Sequence, residues 1–443
     1  MKCCAVTLGC QMNQSDSERI RSVIESMGYE MTDNEEEASL IGVVACSVRQ
    51  KAIDKVYSKI RKWNQWKNEK PLVTFVSGCI LPADEEKFLK LFDLVFRMNE
   101  LPDLPNMLQQ CGVATEFSVR HPLNEMHRED ERTDFWQVKP TYSSNFDAFV
   151  PIQNGCDKFC SFCAVPYTRG REVSRASKDI LAEVQKLIEQ DVKVITLLGQ
   201  NVNSYGLDKQ GEEISFAELL RAVGELGNES GKEFWVYFTS PHPRDMTRDV
   251  IEAIADYTCL AKQIHLPVQS GDEKLLRRMN RNHSIDDYLA IVSDIRELLP
   301  TATIFTDIIV GFSGETEEQF EKSAELMEKV KYNMAYVAKY SPRVGARSSR
   351  WEDDITPQQK SERFVKLSDV LKRTSLEYNE AMVGKTYRVL VERVDPRMEG
   401  AVACRTEGKL PVRIEKASAD LVGTFQTLEI TSAAALSLTG RLI

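Results

Sequence analysis

Residues 155–170 read Gly155-Cys156-Asp157-Lys158-Phe159-Cys160-Ser161-Phe162-Cys163-Ala164-Val165-Pro166-Tyr167-Thr168-Arg169-Gly170. Three residues separate Cys156 from Cys160 and two separate Cys160 from Cys163, so one short loop converges three thiolates on a common point. Thiolates are soft ligands that select zinc, copper(I) or iron–sulfur clusters. A closed tetrahedral zinc site needs a fourth ligand, usually from a second Cys or Cys/His pair at close spacing. No such pair follows, since His242, Cys259, His265 and His283 stand singly. A four-iron cluster normally takes four thiolates, so three leave one iron open to a further ligand. The stretch predicts a reactive cluster; its bland alternative is a structural or zinc-bound trio.

The same spacing, with the aromatic Phe162 just before the third cysteine, resembles the signature of the radical S-adenosylmethionine (SAM) enzymes. That resemblance implies that the open iron chelates the amino and carboxylate groups of SAM. The cluster then donates one electron, and the sulfonium cleaves to a 5′-deoxyadenosyl radical.

Outward from this loop, residues 146–381 alternate strand and helix patterns. Strands are expected at 148–153, 194–198, 235–238, 263–266, 303–309 and 334–338, with helices at 178–191, 216–227, 285–298 and 317–330. Six β/α units predict a partial TIM-like barrel, whose chemistry sits at the carboxyl ends of its strands. The cysteine loop follows the first strand. Gly199-Gln200-Asn201-Val202-Asn203-Ser204-Tyr205-Gly206 follows the second, Ser240-Pro241-His242-Pro243 the third, and His265-Leu266-Pro267-Val268-Gln269-Ser270-Gly271 closes the fourth. Glycine turns and amide side chains of this kind let backbone approach a nucleoside-like cofactor. His265 reads equally well as a core histidine.

Residues 1–115 form a second α/β series. Strands at 5–9, 40–46, 72–78 and 94–98 alternate with helices at 16–27, 51–67 and 84–91, which predicts a doubly wound parallel sheet. Cys10, Cys46 and Cys79 each stand at the carboxyl end of one of its first three strands, where such sheets place their ligand crevice. One buried cysteine is usually a small hydrophobe. Three at equivalent positions predict a second three-thiolate site. Cys3, Cys4, Cys111, Cys259 and Cys404 show no such pattern and read as packing residues.

Residues 116–145 are polar and charge-rich and read as a linker. A charged amphipathic helix at 356–381 leads into short strands at 386–393, 401–405, 411–414, 423–430 and 436–442. These predict a small OB-like all-β barrel spanning 382–443, a fold that often carries RNA. Residues 384–443 hold nine Lys and Arg against seven Asp and Glu, while the whole chain carries a net charge of −10. The net charge argues against bulk attraction to nucleic acid and still permits a local RNA-facing module. No apolar run of about eighteen residues exists, and the N-terminus reads as a buried strand, so neither a membrane span nor a signal peptide is expected. Eleven cysteines without an export signal predict reduced thiols and a cytoplasmic protein.

Over its whole length the chain resembles the radical SAM methylthiotransferases: Leu8-Gly9-Cys10-Gln11-Met12-Asn13 at the start, residues 155–170 in the middle, and Thr439-Gly440-Arg441 near the end. Val165-Pro166-Tyr167-Thr168-Arg169-Gly170 with Glu172-Val173-Ser174-Arg175, and residues 198–206, are similar to the branch acting on isopentenyladenosine in tRNA. The resemblance implies a methylthiotransferase domain, a radical SAM core and a C-terminal TRAM domain. It implies two four-iron four-sulfur clusters, on Cys156, Cys160 and Cys163 and on Cys10, Cys46 and Cys79, the second carrying the sulfur to be inserted. Phe162, Gln200, Asn201 and Gln269 are the candidate SAM contacts. The implied reaction places a methylthio group on carbon 2 of the adenosine 3′ of the anticodon, with one SAM as methyl donor and one as radical source. A tRNA anticodon loop, an electron donor such as a flavodoxin, and a sulfur source are the implied partners. Sister branches act on threonylcarbamoyl-adenosine in tRNA or on a ribosomal-protein aspartate. Outside the family, a non-catalytic iron–sulfur RNA-binding protein, or a radical SAM enzyme whose N-terminal triad only transfers electrons, are the competing readings.

Overall fold

The computed structural model describes residues 1–47, 50–112 and 134–443. At the N-terminus, β1 (Lys2–Thr7), β2 (Glu30–Met31), β3 (Leu40–Cys46), β4 (Val73–Cys79) and β5 (Leu94–Val95) form one sheet in the order β2-β1-β3-β4-β5, parallel throughout. All seven residues of β3 are buried, as a central strand covered on both faces requires. Its period of two sends Leu40 and Val44 into the core with Ile20, Ile24 and Phe75. Ile41, Val43 and Ala45 face the opposite core, with Ile53, Ile60 and Trp63. The strand order reverses between β1 and β3, and it is at such a switch point that doubly wound sheets open their crevice. Cys10 follows β1, Cys46 ends β3, and Cys79 ends β4 directly opposite Cys46 in the register.

Some boundaries differ from the expectation for identifiable reasons. The first helix, α1, spans Gln11–Ser26 and starts earlier than residue 16, because the Asn13 side chain takes up the Cys10 N–H at its N-cap. Beyond β5 the expected strand stops after two residues. A 3-10 turn, Met98–Asp103, and a short helix, Leu104–Gln110, follow, the latter opened by Pro105 in its first turn. The linker expected at 116–145 lies largely outside the described residues. Of its described end, Phe135 is buried in the N-terminal core, and Ser143 donates through both its N–H (3.0 Å) and its hydroxyl (2.6 Å) to Glu18 on α1.

The central region carries β6 (Asp147–Pro151), β7 (Gln153–Asn154), β8 (Val173–Ser174), β9 (Val194–Leu198), β10 (Trp235–Phe238), β11 (Gln263–His265), β12 (Thr303–Val310) and β13 (Met334–Lys339). β6, β9 and β10 form one parallel sheet and β11, β12 and β13 another, joined by the bridge Val236–Leu260. Six parallel strands thus curve as the expected partial barrel. β7 and β8 pair antiparallel and pinch the base of the cysteine loop. Two short helices, Arg248–Asp256 and Glu273–Arg278, escaped the sequence reading because an apolar period cannot repeat convincingly over so few residues.

The helix Pro357–Glu380, capped by Thr356, leads to a closed barrel of β14 (Thr386–Val394), β15 (Ala401–Thr406), β16 (Pro411–Glu415), β17 (Phe425–Ala434) and β18 (Ser437–Leu442). This barrel packs on the central strands, with the rings of Trp235 and Phe425 centred 4.6 Å apart and Arg388 forking onto Glu233. Among the described residues no helix is long and apolar enough to cross a membrane.

Candidate active site

The loop of Cys156, Cys160 and Cys163 is shaped by backbone demands before any chemistry. Gly155 has φ +78°, and a Cβ there would lie 2.1 Å from the Arg171 carbonyl, so the turn into the loop requires glycine. The Gly155 N–H donates to Gln200 Oε1 at 2.5 Å, and the Cys156 N–H closes the loop onto Gly170 O at 3.2 Å. From the far side of the barrel, Ser161 bonds to the carbonyls of Arg278 and Met279, and Asn280 Nδ2 holds those of Lys158 and Phe159. The three thiols so positioned line a cavity of about 180 Å³ together with Phe162, Gln200, Asn201 and Gln269. Every residue nominated from the sequence for SAM stands on this cavity with the triad.

Cys10, Cys46 and Cys79 meet at the crevice of the N-terminal sheet and line a larger cavity of about 520 Å³. Asn13 is fully buried beneath them. Its amide donates to Ala45 O at 2.7 Å, and its Oδ1 accepts from the Cys10 thiol at 3.3 Å, which ties the turn after β1 to the end of β3. The two cavities share Val165, Gln200, Ser240 and His265 as wall residues, so both triads open onto contiguous space. His265, open to two readings in the sequence, stands at that junction with its Nε2 3.0 Å from Asp307. Arg169, from the end of the cysteine loop, crosses between the triads: its Nε donates to Cys79 Sγ at 2.9 Å and its two terminal nitrogens clasp Asp16 of α1.

Burial pushes the Cys156 and Cys163 thiols up to about 12. Cys79 is raised well above the ordinary thiol range, first by its hydrogen bond with Cys46 and then by burial, with Arg169 opposing. Thiols this desolvated release their protons to a metal set against the sulfur. Among the described residues no three His, Cys, Asp or Glu side chains stand close enough to hold a single metal ion. Around the smaller cavity Asn201 Oδ1, His242 Nε2 and Arg281 Nε are buried without a hydrogen-bond partner among the described residues. Buried polar atoms are rarely left so, and these fit a site that takes a polar ligand. Burial, reinforced by the Arg281 charge, holds His242 far below its ordinary value, so it is neutral.

Several of these residues escaped the sequence reading. Arg169 lies inside the quoted stretch, where a cation beside three thiolates was a usable signal. Lys158, which pairs with Asp245 at 2.6 Å, offered the same one. Arg281 donates to Cys160 Sγ at 3.6 Å across 121 residues of chain, and Arg405 and Lys409 reach the larger cavity from the C-terminal barrel. None of these three had a local signal. Of the cysteines read as packing residues, Cys3, Cys4, Cys259 and Cys404 are buried and Cys111 is half-buried.

Residues 150–327 match the Radical SAM superfamily, residues 2–97 the uncharacterized protein family UPF0004, and residues 380–443 the TRAM domain. A protein of Acetivibrio thermocellus named tRNA-2-methylthio-N(6)-dimethylallyladenosine synthase is 37% identical over 454 residues, covering 99% of this chain and 90% of its own. A protein of the same name from Clostridium botulinum strain Langeland is 40% identical over 98% of this chain and 95% of its own. Among solved structures, the radical SAM methyltransferase TsrM of Kitasatospora setae shares the fold, with a TM-score of 0.54 at 13% identity over 78% of this chain and 75% of that one. Full-length identity at this level, together with all three matched regions, shows that the chain belongs to the radical SAM methylthiotransferase family, in the branch named for tRNA-2-methylthio-N(6)-dimethylallyladenosine synthesis.

Proposed function

We propose that this protein is a tRNA methylthiotransferase that converts the isopentenyladenosine next to the anticodon into its 2-methylthio derivative. The observation that carries this reading is the shared wall of the two cavities, which gives two cysteine triads access to one substrate. The full-length relatives bearing that name support the substrate. In this reading residues 1–115 hold an auxiliary cluster, 146–381 form the radical core, and 382–443 face the RNA. When bound, a four-iron cluster on Cys156, Cys160 and Cys163 with SAM supplies a 5′-deoxyadenosyl radical, and one on Cys10, Cys46 and Cys79 supplies the sulfur.

The remaining work belongs to the chain. Carbon 2 of adenine carries an unactivated C–H bond beyond any side-chain acid or base, so the protein's part is binding, orientation and exclusion of water. Asn201, Gln269 and Arg281 line the smaller cavity with polar groups for the cofactor's polar end, and Phe162 gives it an apolar edge packed on Phe312. Gln200 braces the cysteine loop through Gly155. Phe305 and Tyr336 give the larger cavity aromatic walls, against which a base drawn out of a loop can stack. An external electron donor such as a flavodoxin and a sulfur source complete the cycle.

Anaerobic reconstitution with iron and sulfide counting tests this directly. Changing Cys156, Cys160 and Cys163 together to Ala is expected to leave about half the iron and no SAM cleavage. Cys46→Ala is expected to keep SAM cleavage while losing methylthiolation of isopentenylated tRNA. An iron-free triple variant would mean one cluster only, and sulfur insertion from the N-terminal triad would fall.

A further inference from the structure

The turn between β15 and β16 is clamped onto the central barrel. Tyr237 Oη donates to Glu407 O at 2.8 Å, Thr303 Oγ1 donates to Gly408 O at 2.7 Å, and the Lys262 N–H donates to Glu407 Oε1 at 2.9 Å. Gly408 permits this approach, since a Cβ there would lie 2.6 Å from Thr303 Cγ2. The chain then passes through Lys409 at φ +57°, and this lysine lines the larger cavity opposite Cys10, Cys46 and Cys79.

Two cations of the C-terminal barrel reach that cavity, and they differ in their partners. Arg405 is neutralised by Asp147 at 3.4 Å and Glu392 at 3.2 Å. Lys409 Nζ rests 4.1 Å from the centroid of the Tyr237 ring, and among the described residues its side chain makes no ion pair or hydrogen bond. Lys409 is half-buried, so its amine, backed by an aromatic ring and with no acceptor among the described residues, is free to donate to one. The cavity volume of about 520 Å³ lies in the range that encloses a small ligand. A base drawn out of an RNA loop is read by hydrogen bonds to its edge while it stacks on aromatic side chains. The bare acceptors on an N6-alkylated adenine are its ring nitrogens.

We propose that Lys409 is a substrate-contacting residue, whose amine donates a hydrogen bond to a ring nitrogen of the target adenine inside the cavity. The C-terminal barrel thereby supplies one wall of the reaction chamber besides any surface it offers to the rest of the RNA. This rests on the tRNA-adenosine reading above. A base contact suits the position better than a phosphate contact. Phosphates of a bound loop lie toward solvent, and burial lowers the Lys409 amine to about 7, which makes it a weak anion clamp. The amine is a donor in either protonation state, so the contact does not depend on its titration.

The test compares wild type, Lys409→Met and Lys409→Gln on an isopentenylated anticodon stem-loop RNA. Iron content and RNA-free SAM cleavage report whether each variant is intact. Lys409→Met is expected to lower kcat for methylthiolation about tenfold or more, the scale of a lost hydrogen bond to a charged or desolvated donor. SAM consumed per product should rise, and the salt dependence of RNA binding should stay that of wild type. Lys409→Gln, which keeps an N–H donor, should recover part of the rate and of the coupling. Should Lys409→Gln alone fold, a rate and coupling equal to wild type would support the donor role, and a loss of tenfold or more would count against it. Unchanged kcat and coupling in Lys409→Met would reduce Lys409 to packing on Tyr237. A salt slope shallower by about 0.7 would assign it to a phosphate instead. If wild type itself makes no methylthio product, the function reading fails and takes this role with it.

Discussion

Glu172 is a buried carboxyl that the fold makes costly to ionise near neutral pH. It is buried beside the cysteine loop with the Ser204 hydroxyl as its partner, and burial raises it from 4.5 to about 7. The folded state therefore binds this proton more tightly than the unfolded chain does. Below about pH 4 both states are protonated and the group contributes nothing. Between there and about pH 7 the unfolded chain ionises first, so stability falls as pH rises, and above about pH 7 the full penalty of up to about 3 kcal/mol applies. Glu172→Gln removes the ionisation while keeping the shape and an acceptor for Ser204. In cluster-free protein the variant should gain on wild type steadily from about pH 5 to about pH 8 in urea unfolding. Parallel curves for the two proteins would show that the carboxyl is not being held protonated.

The turn joining β1 to α1 shows how an element can be built around one amide. Asn13 gives its Oδ1 to the N–H and thiol of Cys10 and its Nδ2 to Ala45 O, with no exposure to solvent. Asn13→Ala deletes three contacts and strands the Ala45 carbonyl, a loss of about 2 kcal/mol. Cys10 would then be free to drift from Cys46 and Cys79. Reconstituted Asn13→Ala should hold roughly half the wild-type iron while still cleaving SAM, because the other triad is untouched. Full iron occupancy in this variant would show that Cys10 is placed by the strand alone. The same turn marks how far the sequence was legible. The strand-end positions of Cys10, Cys46 and Cys79 could be read, because parallel strands announce themselves as apolar runs and their carboxyl ends follow. The start of α1 could not, because its N-cap is Cys10, not an ordinary capping residue, and the capping amide of Asn13 sits inside the helix. Arg281 and Lys409 were unreadable for a different reason: each reaches its cavity across long chain separations that no local period encodes.

At the scale of the whole molecule, the chamber is walled by three parts of the chain: the crevice of the N-terminal sheet, the rim and interior of the central barrel, and the β15–β16 turn. The first two are tied across their boundary by Arg169 and Asp16, whose side chains are 4% and 2% exposed. A buried pair of this kind adds little over a well-packed apolar pair, yet breaking it leaves a charge with no partner and costs about 3–5 kcal/mol. Arg169→Met should therefore be strongly destabilising, as should Asp16→Leu, since either leaves one charge alone. The double variant should recover most of that loss, because it leaves no buried charge. Urea unfolding of the four proteins gives the coupling, and a value above about 1.5 kcal/mol would make this pair the electrostatic link between the two parts. Arg169 also donates to Cys79, so under the proposed function the double variant should regain stability without regaining the wild-type spectrum of a cluster held by Cys10, Cys46 and Cys79. If instead the single losses are small and simply add, apolar packing joins the two parts, and Arg169 serves Cys79 alone.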